Sequence, residues 1–135
     1  MITKIEVQGY RLLNGFVADF SPLTVVIGAN AVGKSTLLDC LQLIAQCADS
    51  PLNTAIGWHW SVPSLLNAST GETRLGWKIT FEKPRNSFWT RLPLDDNQKL
   101  YYEVSLQGDI KGQAEAQYEL LRNTGPFPGY TSPLK

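Results

Sequence analysis

Apolar and polar residues alternate at the start of the chain, which is the pattern of a half-buried strand. Within residues 2–8, Ile5 and Val7 are separated by polar positions, and within residues 16–20 apolar residues again recur at every second position. Glycine and asparagine interrupt both patterns between residues 9 and 15. We therefore expect two short strands joined by a turn.

A continuous apolar segment, Leu23–Ile27, follows Ser21–Pro22. Such a segment is typical of a strand that is buried on both faces in the centre of an α/β sheet. Beyond residue 33 the spacing becomes helical, and the predicted helix ends at Ser50–Pro51. Its predicted apolar side consists of Leu37, Leu41, Ile44 and Ala48, and its polar side of Asp39, Gln42, Gln46 and Asp49.

The second half of the chain returns to strand spacing after an irregular stretch. We expect residues 52–72 to be irregular, with a short helical turn near residues 63–66, and we expect half-buried antiparallel strands at residues 75–82 and 100–107. Residues 84–98 form a polar link between these strands. Residues 114–120 have helix-favouring composition but strand spacing, and the spacing favours a third strand.

Composition excludes several classes of protein. Lysine plus arginine and aspartate plus glutamate each number 12, which argues against a dedicated basic nucleic-acid-binding domain. No apolar run approaches the roughly 20 residues of a membrane span, and the first residues lack a signal peptide, so a cytoplasmic protein without a membrane partner is expected. Cys40 and Cys47 lie about 10 Å apart along the predicted helix, too far for a disulfide, and are expected to pack in the core.

The loop between the apolar segment and the helix contains the candidate chemistry. Gly28, Gly33, Lys34 and Ser35 fit the phosphate-binding motif G-x-x-x-x-G-K-[ST], in the expected context of a preceding strand and a following helix. Glycines allow a tight turn whose backbone amides surround phosphate, and a helix N-terminus attracts the same charge. Lys34 supplies a cation for the β and γ phosphates, and Ser35 a hydroxyl for Mg²⁺. A plain strand-turn-helix connection is the alternative.

Two strands before the loop, together with the loop and Leu37–Asp39, resemble the ABC-type AAA-family ATPases of the SMC/RecF class, related to the OLD-type group. The matching segments are Ile5–Arg11 and Leu23–Ser35. The resemblance implies an α/β fold, the N-terminal lobe of a P-loop NTPase, with a mixed sheet around the loop helix and an added antiparallel β block. Residues 1–123 would form this partial ATPase domain, and residues 124–135 a loosely ordered tail.

The resemblance also implies roles for individual residues. The amides of Asn30, Ala31, Val32 and Gly33, together with Thr36, would contact phosphate. Arg11 stands where many relatives place an arginine that approaches the nucleotide, although a surface arginine is an equal alternative. Ala31 stands where glycine is common. ATP, rather than GTP, and Mg²⁺ are expected from the resemblance alone.

No residue can be assigned to catalysis. After the loop there is no run of four apolar residues followed by Asp-Glu, and no Leu-Ser-Gly-Gly-like signature. Hydrolysis needs a group that orients or activates water. The remaining acidic residues are expected to be solvated surface groups, and His59 a packing or loop residue; the carboxylates concerned are Glu72, Glu82, Asp95, Asp96 and Glu103.

Three hypotheses follow. The first is ATP–Mg²⁺ binding by the N-terminal half of an ATPase head, cut short and incomplete for hydrolysis alone. Its partners would be a C-terminal half or a second head that dimerises on ATP binding, with DNA contacted through the full-length protein. The second is a small P-loop kinase, and the third is a nucleotide-responsive interaction module without catalysis.

Overall fold

One antiparallel sheet and three helices make up the part of the chain described by the computed structural model, namely residues 1–58, 62–82, 99–108, 114–123 and 130–131. The strands are β1 (Ile2–Gln8), β2 (Phe16–Asp19), β3 (Arg74–Glu82), β4 (Lys99–Gly108), β5 (Ala114–Asn123) and β6 (Tyr130–Thr131). The helices are α1 (Lys34–Asp49), α2 (Leu52–Trp58) and α3 (Val62–Leu65). The strand order in the sheet is β2-β1-β3-β4-β5-β6.

The strands predicted from alternation are confirmed. β1 lies between β2 and β3, with Val7 opposite both Phe16 and Trp77. β3 pairs with β4 in continuous register, with Trp77 opposite Val104. The ambiguous segment, β5, is a strand because β4 offers it backbone partners on both sides of one register shift, and this pairing outweighs its helix-favouring composition. In the predicted tail, Tyr130 and Thr131 pair with β5, and the remaining tail residues lie outside the described part.

The core lies between one face of the sheet and the helices. Alternate residues of β1, β3 and β4 meet the buried side of α1, together with Ile56 from α2 and Val62 and Leu65 from α3. The sheet contributes Ile5, Val7, Leu75, Trp77, Ile79, Val104 and Leu106, and the turn between β1 and β2 adds Tyr10 and Leu13.

The expected mixed sheet and its central strand are not found. Every pairing between the described strands is antiparallel, so the prediction of a mixed sheet is wrong for these residues. Leu23–Ile27 is assigned to no strand, and the exposed fractions of Leu23, Val25 and Ile27 are 83%, 73% and 87%. An apolar run shows that a segment can be buried between strands, but it forms a strand only where other strands offer backbone partners. None of the described strands pairs with it.

The helix after the loop is confirmed over Lys34–Asp49, and Ser50 ends it with an extended backbone. Its buried side is rotated from the predicted one, because it contains Leu37, Cys40, Leu43 and Ile44 rather than Leu41 and Ala48. Cys40 is buried and Cys47 packs at the core margin, as predicted. None of the described helices is long and apolar enough to span a membrane.

The irregular stretch is partly helical. The prediction is wrong over residues 52–58, where Thr54 and Ala55 donate their N–H groups to the Pro51 carbonyl and begin α2. Pro51 therefore lies between the two helices, and its carbonyl accepts the first hydrogen bonds of α2. Burial of Ala55 and Ile56 stabilises this helix against a composition that favours loops. The short helix α3 agrees with the turn predicted near residues 63–66.

Candidate functional site: the glycine loop

The glycine loop, Gly28–Thr36, connects the exposed segment Leu23–Ile27 to the start of α1. Gly33 has φ 101°, a backbone conformation that side chains oppose, and it is the residue from which α1 starts. Ala31 has φ 63°. A left-handed backbone costs a non-glycine residue roughly 1–2 kcal/mol, which is a physical reason why glycine would suit position 31. The loop therefore has a left-handed backbone at two positions, and only one of them, position 33, is occupied by glycine.

The N-terminus of α1 has the features of an anion site. Gly33 provides no side-chain cap, and the first turn contains no acidic residue. The first intrahelical bond runs from the Leu37 N–H to the Gly33 carbonyl, at 2.9 Å. The preceding amides, those of Lys34, Ser35 and Thr36, therefore lack intrahelical acceptors, and the positive end of the helix dipole coincides with them. A phosphate group fits these donors.

Lys34 reaches back across the loop. Its ammonium group donates to the Gly28 carbonyl at 2.6 Å and also to the Ala29 carbonyl. These are exposed contacts, so phosphate oxygens could replace the carbonyls as acceptors without opening the core. The lysine side chain therefore links the two ends of the loop.

Ser35 is exposed at the start of α1. One hydroxyl suits Mg²⁺, which commonly takes few protein ligands and completes its shell with phosphate oxygens and water. Among the described residues there is no group of three histidine, cysteine or acidic side chains that could hold a metal. The Ser35 hydroxyl could serve as one ligand of a magnesium ion that is bound together with a nucleotide.

The predicted loop residues come together, and Arg11 lies farther along the helix. Gly28, Asn30, Ala31 and Val32 are exposed, Gly33 is buried, and Lys34 and Thr36 are half-buried. The Arg11 guanidinium instead forms an ion pair with Asp39 in the second turn of α1, with Nη1 2.9 Å from Oδ2. Its Nε donates to the Ser64 carbonyl at 3.2 Å.

Sequence reasoning missed Asp39 and Ser64 as partners of Arg11. The sequence predicts Asp39 only as part of the polar side of the helix and Ser64 only as part of a short helical turn. These residues are 28 and 53 positions from Arg11, and no local pattern links them to it. Only the packing of the turn between β1 and β2 against α1 and α3 brings them together.

Two ionisable groups lie in the core close to this ion pair. Burial raises the pKa of Tyr10 to about 12, although the charge of Arg11 acts in the opposite direction. Burial, with a smaller contribution from Asp39, raises the pKa of the Cys40 thiol to about 12. Both groups are neutral near pH 7, and therefore neither is a ready nucleophile or base.

Among the described residues, the carboxylates singled out in the sequence are not gathered into a second site. Glu72 and Glu82 are exposed, as predicted, and Glu103 is half-buried on β4. Asp95, Asp96 and His59 lie outside the described residues.

Comparison with known proteins identifies the family. The model of a family described as "AAA ATPase domain" matches residues 1–111, which include the sheet through β4 and the whole glycine loop. The chain belongs to this AAA ATPase family. It is also 32% identical over 87 residues to the DNA repair protein RAD50 of Dictyostelium discoideum. That match covers 62% of this chain and 6% of RAD50, so the chain spans a small part of that relative's length.

The predicted resemblance to SMC-like AAA-family ATPases is confirmed by these two similarities. Membership implies a P-loop NTPase fold and an ATPase-type, nucleotide-binding function. It does not support the small-kinase alternative.

Proposed function

We propose that the chain binds ATP–Mg²⁺ at the glycine loop, as the N-terminal half of an ATPase head that is incomplete for hydrolysis alone. One observation carries this proposal: the uncapped N-terminus of α1 and the Lys34 ammonium converge on the same exposed loop. Amide donors, the helix dipole and a cation together favour a polyphosphate over other anions.

Each loop residue then has a distinct task. The amides from Asn30 to Gly33 surround the phosphates, Lys34 exchanges its carbonyl acceptors for β and γ phosphate oxygens, and Thr36 contacts phosphate at the start of α1. Ser35 supplies a hydroxyl ligand to Mg²⁺. Arg11 contributes positive charge from the side of the helix. The choice of ATP over GTP follows from the family.

The absence of an assigned catalytic residue supports the second half of the proposal. The sequence after the loop lacks an apolar run followed by Asp-Glu. The described acidic residues are spread over α1, all of β1 to β5 and the turn before β3, and none lies within the loop itself. Transfer of the γ phosphate to water needs a group that positions this water. Binding without appreciable turnover is therefore expected from this chain by itself.

The exposed segment Leu23–Ile27 supports a partner of defined kind. Its apolar side chains are exposed, and among the described residues no hydrogen bond between two backbone groups involves residues 22–27. A strand from the C-terminal half of the ATPase head would cover the apolar side chains and satisfy these backbone groups by pairing with this segment. A second head that joins on ATP binding is the next level of assembly in this proposal, and DNA is contacted only by that complete assembly.

The interaction-module alternative uses the same surface. It differs in that no C-terminal half is needed and ATP serves only to order the loop for a partner. ATP hydrolysis after addition of a C-terminal half supports the ATPase-head proposal, whereas partner binding without hydrolysis supports the module. A reducing compartment such as the cytoplasm suits the buried free thiol of Cys40.

Calorimetric titration of the chain with ATP and Mg²⁺ tests the proposal. Wild-type protein should bind, and Lys34→Ala should abolish binding or weaken it sharply, because it removes the only motif cation. Lys4→Ala is the matched control, since it removes an exposed lysine on β1 that pairs with Glu6. Unchanged affinity in Lys34→Ala, or robust ATP hydrolysis by the pure chain, would contradict the proposal.

A further inference from the structure

Arg11 is held by three hydrogen bonds to residues distant in sequence. Its backbone N–H donates to the Leu65 carbonyl at 2.8 Å, its Nε to the Ser64 carbonyl, and its Nη1 to Asp39. The residue has φ 44°, the left-handed conformation that non-glycine residues rarely adopt. A strained backbone persists only where its surroundings determine it, so these bonds fix both the backbone and the side chain of Arg11.

The turn that contains Arg11 touches the glycine loop. Tyr10 and Leu13 exchange backbone hydrogen bonds of 3.0 and 2.7 Å, which close a tight turn after β1. A methyl group at Gly33 would lie 3.7 Å from Leu13 Cδ2 and 3.9 Å from Leu12 Cβ. The position of this turn therefore determines what lies next to the N-terminus of α1.

Asp39 belongs to the same helix as the loop lysine. It lies five residues after Lys34, about 7.5 Å along the helix axis. The Arg11 guanidinium is thus beside the second turn of α1, and within the described part of the chain its Nη2 makes no hydrogen bond. Two of its nitrogens anchor the guanidinium, which lies 5.6 Å from the centre of the Tyr10 ring, and its side chain remains 29% accessible to solvent.

We propose that Asp39 is a positioning residue of the nucleotide site: its carboxylate fixes the Arg11 guanidinium beside α1, and this arrangement strengthens ATP binding through Arg11. The proposal rests on the proposed ATP–Mg²⁺ site. Asp39 itself does not touch the nucleotide, and its negative charge acts only through Arg11. A competing arrangement, in which Asp39 withholds Arg11 from the nucleotide, predicts the opposite sign for removal of the carboxylate.

A double-mutant cycle tests the proposal. ATP–Mg²⁺ affinity is measured by calorimetry for wild type, Arg11→Ala, Asp39→Asn and the double variant. Both partners are partly exposed, with side chains 29% and 47% accessible, so Asp39→Asn should weaken affinity by about threefold. In the Arg11→Ala background the same substitution should have no further effect. Asp39→Glu should restore part of the affinity, and Asp49→Asn, at the exposed end of α1, should leave it unchanged.

The outcomes separate positioning from structural support. A general loss of stability in Asp39→Asn persists when Arg11 is already absent, whereas a positioning effect disappears in that background. Wild-type or tighter affinity in Asp39→Asn, or additive losses in the double variant, overturns the proposal. In that case the proposed ATP site still stands, provided that wild-type protein binds ATP and Lys34→Ala loses this binding. If wild-type protein binds no ATP, the proposed function itself fails, and this inference fails with it.

Discussion

The Lys34 ammonium lies 2.6 Å from the Gly28 carbonyl oxygen, so the lysine near the end of the glycine loop is hydrogen-bonded to the first residue of that loop. This contact is exposed to solvent, and water can hydrogen-bond to both groups in its place. Lys34→Ala should therefore change the free energy of unfolding by less than about 0.5 kcal/mol. Urea denaturation measures this directly. A large loss of stability would mean that the lysine holds the loop together, and the loss of ATP binding in this variant would then need another explanation.

Gly33 should tolerate substitution poorly because of its backbone. A methyl group there would meet Leu13 and Leu12 at ordinary contact distances, so the strain comes from φ 101° rather than from crowding. Gly33→Ala should destabilise the fold by about 1–2 kcal/mol. Gly57→Ala is the matched control. It adds a methyl group within α2, where nothing lies within 4 Å, and should stabilise by about 0.5–1 kcal/mol. Equal changes in the free energy of unfolding for Gly33→Ala and Gly57→Ala would contradict the left-handed backbone of Gly33.

The Tyr10 hydroxyl is buried and has no hydrogen-bond partner among the described residues. Leaving a buried polar group unpaired costs about 1–3 kcal/mol, so Tyr10→Phe should be neutral or stabilise by up to about 1 kcal/mol. Tyr101→Phe is the control, because it removes the phenol hydroxyl of a half-buried tyrosine on β4. Thermal and urea denaturation measure both variants. Marked destabilisation by Tyr10→Phe would show that the hydroxyl is bonded.

Stability should fall at alkaline pH because of Tyr10 and Cys40. The folded-state pKa of each is raised to about 12, above its value in the unfolded chain. Their contribution is therefore fully present below the unfolded-state pKa and is lost as pH rises toward 12. Each group changes the unfolding free energy by at most about 1.4 kcal/mol per pH unit in this window. Tyr10→Phe removes one of the two groups, so its stability should decrease less steeply between about pH 10 and about pH 12. A slope equal to that of wild type would contradict the Tyr10 assignment.

The exposed segment Leu23–Ile27 should be dispensable for the described fold. Val25→Lys and Ile27→Lys place charges on side chains that are already exposed, so each should change stability by less than about 0.5 kcal/mol. The same substitutions should prevent association with a C-terminal half of the ATPase head, measured by size-exclusion chromatography with light scattering. Val17→Lys is the control, because it charges an exposed position on the edge strand β2. Retained association in the two segment variants would contradict the proposed strand addition.

Local sequence patterns determined most of the secondary structure. Alternation identified β1, β2, β3, β4 and β5, since a strand with one buried face needs apolar residues at every second position whatever its partners are. The motif spacing similarly identified the start of α1, because a glycine with a left-handed backbone and a helix N-terminus are both local features. The resemblance to AAA-family ATPases was also present in the sequence, and the family match confirms it.

Tertiary structure alone decided what these elements pair with. The apolar run at Leu23–Ile27 indicated burial, but the described strands form an antiparallel sheet that does not include it, because backbone pairing depends on which strands are available. The sheet against which α1 packs determines which side of the helix is buried. As a result, Leu43 is buried and Leu41 is only half-buried. Arg11 contacts Asp39 and Ser64 only because the β1–β2 turn packs against α1 and α3. Contacts between residues far apart in sequence produce no periodic pattern in the sequence from which they could be predicted.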